Sequence, residues 1–257
     1  MGNWKEQKHF NLCKFYLNDE FNVKREELYN IVRLFNLNNI HYNLFCSSSL
    51  YFLGITDKFD DYDILVDIND INKARDILLS LGYNFRDPKS CEVHGFSQNE
   101  QVFEEKDLLE KVENKELCKS GDFCSDAYYS FKKENIQIEL ISGFLVNLEP
   151  SVEPFYQCNY GKNIEIDGQK IPVVPLEVQF VLYAMMLMKQ EKRRLKTKLL
   201  YDYLYEGNIE YLFILEEYNN RNIPEWIKDC IDLILDNYYR MTLNNKKEKI
   251  FSKRFSK

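Results

Sequence analysis

The chain has 257 residues, 45% of them hydrophobic and 29% charged, with 18 Tyr and 18 Phe. That is the composition of a globular protein with an aromatic-rich core, long enough for one large domain or two modest ones. A net charge of −7 argues against broad nucleic-acid binding, which requires phosphate neutralisation, and the longest apolar run, Phe180 to Met188, is too short to cross a bilayer.

Residues 4–36 predict two helices, the second capped by Asn22, with Leu28, Ile31, Val32, Leu34 and Phe35 on its apolar face. Tyr42 to Cys46 predicts a short strand. Ser47-Ser48-Ser49 followed by Leu50-Tyr51-Phe52-Leu53-Gly54 predicts a strand-to-helix turn whose helix ends at the glycine. Such a helix start offers free N–H groups to an anion, and it fits a plain serine N-cap as well.

Residues 60–68, Asp-Asp-Tyr-Asp-Ile-Leu-Val-Asp-Ile, alternate with a period of two. Tyr62, Ile64, Val66 and Ile68 fall on one face, and Asp61, Asp63, Leu65 and Asp67 on the other, which is a strand pattern. Residues i and i+2 point the same way, about 6.5–7 Å apart. Asp61 and Asp63 are therefore candidate ligands for one or two divalent cations, which would offset their mutual repulsion. The same residues would also suit an edge strand with surface carboxylates.

Asn69 to Leu81 predicts a helix ending at Gly82, followed by an extended Tyr83–Phe85. Residues 86–125 carry weak signals: a strand at Cys91 to Phe96, a helix at Val102 to Val112, and a loop at residues 119–122. Tyr128 to Lys133 and Ile136 to Ile141 predict a hairpin about Glu134-Asn135, in which Glu139 points away from its apolar neighbours. A second hairpin, residues 163–174, turns at Asp167-Gly168. From Pro175 onward helices are predicted: one to Met188, one opening at Arg193-Arg194-Leu195-Lys196, and two at residues 208–218 and 224–241. The last residues, 246–257, carry six Lys/Arg against one Glu and read as a solvated, frayed end.

The seven cysteines, Cys13, Cys46, Cys91, Cys118, Cys124, Cys158 and Cys230, form no Cys-x-x-Cys pair, and His9, His41 and His94 lie apart from them. Neither a disulfide framework nor a zinc site is expected. Free thiols and an N-terminus without an apolar signal core point to the cytoplasm.

Taken together, the serine turn, Gly54, Asp61-x-Asp63, the strand Ile138-Glu139-Leu140-Ile141 and the helical opening Val174-Pro175-Leu176-Glu177, followed by Arg/Lys and Asp202, resemble the nucleotidyltransferases of the polymerase-β superfamily. They are most similar to the small bacterial branch with the lincosamide and aminoglycoside enzymes. The resemblance spans roughly residues 25–205. It implies an α+β fold: a mixed β-sheet core flanked by helices at residues 1–175, then a helical region at 176–257. It also implies transfer of a nucleoside monophosphate from a nucleoside triphosphate to a hydroxyl of a small acceptor, such as an antibiotic, with Mg2+ and release of pyrophosphate.

Under this resemblance Asp61, Asp63 and Glu139 hold the metal, and Glu139 is alternatively the general base. Ser47 and Ser48 border the phosphates, and Arg193, Arg194 and Lys196 are candidates to contact them. His94 is a candidate to line the acceptor side. The family has Gly-Gly or Gly-Ser where this chain has Cys46-Ser47 or Ser47-Ser48, and more often Asp where it has Glu139. Two other readings are a phosphocholine-type transferase of the same superfamily and a non-catalytic module of the toxin–antitoxin kind. No nucleic-acid or membrane partner is expected.

Overall fold

A computed structural model describes residues 19–56, 59, 61–86, 123–124, 127–142, 145–147, 152–154, 162–166, 168–187, 194–209 and 225–255. The predictions at Cys91–Phe96, at Val102–Val112 and in the 119–122 loop lie outside these residues, as do His94, Arg193 and nearly all of the 208–218 helix. The chain divides into two compact units, residues 1–147 with 152–174, and residues 148–151 with 175–257.

The first unit is α+β. Among the described residues its main sheet has seven strands: β1 (Tyr42–Phe45), β2 (Asp61–Val66), β3 (Asn84–Phe85), β5 (Ala127–Lys133), β6 (Ile136–Ser142), β9 (Lys162–Ile166) and β10 (Gln169–Val173), in the order β3-β5-β6-β2-β1-β10-β9. The sheet is mixed: β2 runs parallel to β6 and β1 parallel to β10, and the other pairs are antiparallel. A separate three-stranded sheet, with no counterpart in the sequence reading, joins β4 (Phe123–Cys124), β7 (Leu145–Asn147) and β8 (Val152–Pro154).

Helix α1 (Asp19–Leu37) buries Leu28, Ile31, Val32 and Phe35, the i, i+3, i+4, i+7 stripe of a core-facing helix. It runs through Asn22 rather than starting there, so the expected cap is corrected. The helix stops at Asn39, whose φ of 53° lets the Ile40 N–H reach back to the Phe35 carbonyl at 2.9 Å. Helix α2 (Cys46–Phe52) follows β1 directly, and α3 (Ile71–Ser80) turns Ile71, Ala74 and Leu78 inward. The stripes of α1 and α3 join Tyr62, Ile64, Val66, Phe131, Ile138 and Leu140 of the sheet in one core. Phe131, Ile138 and Leu140 are fully buried; truncating a side chain of this kind to Ala costs about 2–5 kcal/mol.

In the second unit α4 (Leu176–Leu187) is buried on all sides from Leu176 to Ala184, as a central helix must be. Helix α5 (Arg194–Tyr205) buries Thr197, Leu200 and Leu204, and α6 (Glu225–Phe255) buries Ile227, Ile231 and Ile234. The last helix was expected to end at 241 and give way to a frayed basic end. It continues instead to Phe255, because nothing after Pro224 breaks a helix: the stretch holds no glycine or proline. Among the described residues no helix is long and apolar enough to cross a membrane.

Candidate active site

The acidic strand is anchored from its apolar side. Tyr62 is 2% exposed, and its hydroxyl donates to the Lys24 carbonyl of α1 at 2.6 Å. Phe59, just ahead of the strand, packs edge-on against Tyr51 and Tyr62, with ring centroids 4.9 Å apart in each case. The Lys24 ammonium donates to the Phe59 carbonyl at 3.1 Å and lies 4.3 Å from the centre of that ring. With Tyr62 held in the core, the pleat turns Asp61 and Asp63 to the opposite face.

Glu139 reaches the same place through the parallel pairing of β2 with β6, where Asp63 lies beside Glu139 and Tyr62 beside Ile138. Equal parity puts the three acids on one face and the apolar residues on the other. One carboxylate oxygen from each of Asp61, Asp63 and Glu139 lies within 4.8 Å of the other two, and all three side chains are half-buried. Two oxygens on opposite sides of one Mg2+ are about 4.2 Å apart, at about 2.1 Å from the ion. Small side-chain rotations therefore bring the trio to ligating distance, and hard carboxylate oxygens are the donors that Mg2+ prefers.

Burial pushes the Glu139 carboxyl above its ordinary range; Asp61 adds to the rise, while Tyr128 and Arg86 oppose it. The Tyr128 hydroxyl hydrogen-bonds the Glu139 carboxylate, and burial next to that charge raises the phenol in turn. Arg86 approaches Glu139 at 4.0 Å, and its backbone N–H donates to the Ser130 carbonyl at 2.8 Å. Tyr128 and Arg86 did not emerge from the sequence. A signal for Tyr128 was present: the two-residue Glu134-Asn135 turn sets Ser130 across from Glu139, which puts Tyr128 on the same face.

The serine turn differs from expectation. The N-cap of α2 is Phe45, with no side-chain cap, so the helix begins before the serines. Ser47 and Ser48 are both buried. The Ser48 hydroxyl donates to the Phe45 carbonyl at 2.9 Å, and that of Ser49 to the Cys46 carbonyl at 2.8 Å. Phe45 is the partner of Asp63 in the β1–β2 ladder, so this turn stands at the acidic end of β2. Cys46 has a φ of 51°, a left-handed conformation that favours glycine. In the second unit Arg194 is exposed on the first turn of α5, and the Lys196 ammonium lies 5.9 Å from the centre of the Tyr183 ring.

No family model matches the chain. An 8-oxoguanine DNA glycosylase/AP lyase from Picrophilus torridus is 27% identical over 157 residues, and the match spans 56% of this chain and 66% of that relative, just under two thirds of its length. Three solved structures are similar. One is a Thermotoga maritima protein assigned as a nucleotidyltransferase (TM-score 0.46, 19% identity, 69% of this chain and 92% of that one). Another is the lincosamide antibiotic adenylyltransferase LnuA with lincomycin bound (0.40, 18%, 68% and 94%). The third is the antibiotic-resistance factor ANT(2'')-Ia (0.45, 9%, 90% and 98%). These structures are likenesses of chain path, and the chemistry rests on the carboxylates.

Proposed function

We propose that this protein is a Mg2+-dependent nucleotidyltransferase that moves a nucleoside monophosphate from a nucleoside triphosphate to a hydroxyl of a small acceptor, with pyrophosphate as the leaving group. The observation that carries the reading is the convergence of Asp61, Asp63 and Glu139 from two parallel strands. Three acids on one face repel one another, and a site that keeps them together is built for a cation. When bound, Mg2+ supplies the positive charge that a transferring phosphoryl group requires. The protein's own share is placement. Asp61 and Asp63 form the fixed end of the cation site, and Glu139 either completes it or takes the proton of the acceptor hydroxyl, a task that its raised pKa suits.

The Ser48 hydroxyl is already committed to Phe45, so the turn at Ser47 and Ser48 would meet a phosphate through backbone N–H groups. Arg193, Arg194 and Lys196 are the cations we assign to the triphosphate, and a cationic antibiotic is an acceptor that an acidic protein would attract. The glycosylase/AP lyase reading is less well supported. Lyase chemistry uses an amine nucleophile, and DNA binding needs a cationic surface; a net charge of −7 and a carboxylate cluster suit neither.

The test is Mg2+-dependent binding of ATP and GTP by the wild type and by Asp61→Asn and Asp63→Asn, followed by transfer of labelled nucleotide to a panel of antibiotics and sugars. Binding that both substitutions abolish, together with labelled product, is expected. A wild type that binds no nucleotide with Mg2+ would leave the non-catalytic module as the better reading.

A further inference from the structure

Glu139 is the member of the trio that needs outside support. Its side chain is longer and more flexible than that of an aspartate, and two negative charges within 4.8 Å push it away from the place where a shared cation would sit. Two neighbouring groups oppose that push. Arg86, at 4.0 Å and half exposed, is a loose screened contact. Tyr128 is better placed. It stands on the same face of β5 as Ser130, the residue directly across the ladder from Glu139, and its hydroxyl is hydrogen-bonded with the Glu139 carboxylate.

We infer that Tyr128 is a positioning residue that holds Glu139 toward Asp61 and Asp63 against their repulsion. A hydrogen bond from a neighbouring group fixes the orientation of a ligating carboxylate, and loss of such a partner typically weakens a metal site by about 10- to 100-fold. The inference rests on the trio being a cation site, as proposed above.

The test is a calorimetric titration of Mn2+, with no nucleotide present, into the wild type, Tyr128→Phe and Tyr128→Leu. Tyr128→Phe keeps the ring and removes only the hydroxyl. The expected result is Mn2+ binding by the wild type and binding about 10- to 100-fold weaker by both variants, each of which lacks the hydroxyl. A tyrosine that merely packed would lower the melting temperature and leave the Mn2+ affinity of the folded protein unchanged. Equal affinity in the wild type and Tyr128→Phe overturns this inference and leaves the cation site standing. Absence of Mn2+ binding in the wild type overturns both. Should Tyr128→Phe fail to fold, Tyr128→Leu decides by the same comparison.

Discussion

Replacing Glu139 with Gln should make the metal-free protein more stable while removing its response to Mg2+. At 4.8 Å, two unit charges repel by about 3.5 kcal/mol at an effective dielectric constant of 20, and by about 1 kcal/mol in bulk water. Glu139 faces two such neighbours and its side chain is 17% exposed, so neutralising it relieves about 2–4 kcal/mol. Against this stands the lost attraction of half-exposed Arg86, about 1 kcal/mol at most. Gln keeps a carbonyl oxygen to accept from Tyr128. The net gain is about 1–3 kcal/mol, which at about 2–4 °C per kcal/mol raises the melting temperature by several degrees.

The sign with pH follows from the raised carboxyl. A carboxyl raised in the folded state favours folding below its unfolded value of about 4.3, and that benefit is lost as pH rises through the folded value. The advantage of Gln therefore opens as pH rises toward neutrality and closes near pH 4. Mg2+ at 100 times its dissociation constant should stabilise the wild type by about 2.7 kcal/mol and the variant far less. Melting curves from pH 4 to 8, in chelator and in Mg2+, measure all of this. A Glu139→Gln protein less stable than the wild type in chelator at neutral pH, or equally stabilised by Mg2+, would refute the reasoning.

Glu134, in the β5–β6 turn, has a φ of 54°, so Glu134→Asn should relieve part of a left-handed penalty of about 1–2 kcal/mol and raise the melting temperature. Cys46→Gly, at 51°, should be stabilising or neutral by the same measure, whereas Cys46→Val should destabilise by about 1 kcal/mol or more; urea titrations of the pair give the comparison. Tyr62→Phe removes the bond to the Lys24 carbonyl and should cost about 1–1.5 kcal/mol in the same titration. Partial burial would raise the Asp70 carboxyl, but hydrogen bonds from the His41 backbone and ring outweigh it and leave the carboxyl below its usual value. That contribution is present at neutral pH and lost as pH falls through the lowered value, so Asp70→Asn should destabilise at pH 7 and match the wild type in strong acid.

The parts of this fold that could be read in advance are those whose signal is local. Residues 60–68 announce a strand by alternation, and the turns at Glu134-Asn135 and Asp167-Gly168 announce two hairpins. Leu28, Ile31, Val32 and Phe35 announce the stripe of α1. Three features stayed hidden for different reasons. The strands of the small sheet are two or three residues long, too short for a period of two to register. The parallel register of Asp63 with Glu139 joins segments about seventy-five residues apart, and no pattern within either strand encodes its partner's offset; only the shared parity of acids on each strand hinted at a common face. The strand-to-helix turn shows how a residue's identity can mask its conformation. Three serines suggested a cap, yet the helix starts a residue before them. The backbone makes its tight bend at Cys46, which adopts the left-handed conformation expected of a glycine. That bend stands at the acidic end of β2, so what this chain keeps at the turn is the backbone shape, with the Cys46 side chain projecting where a glycine would leave open space.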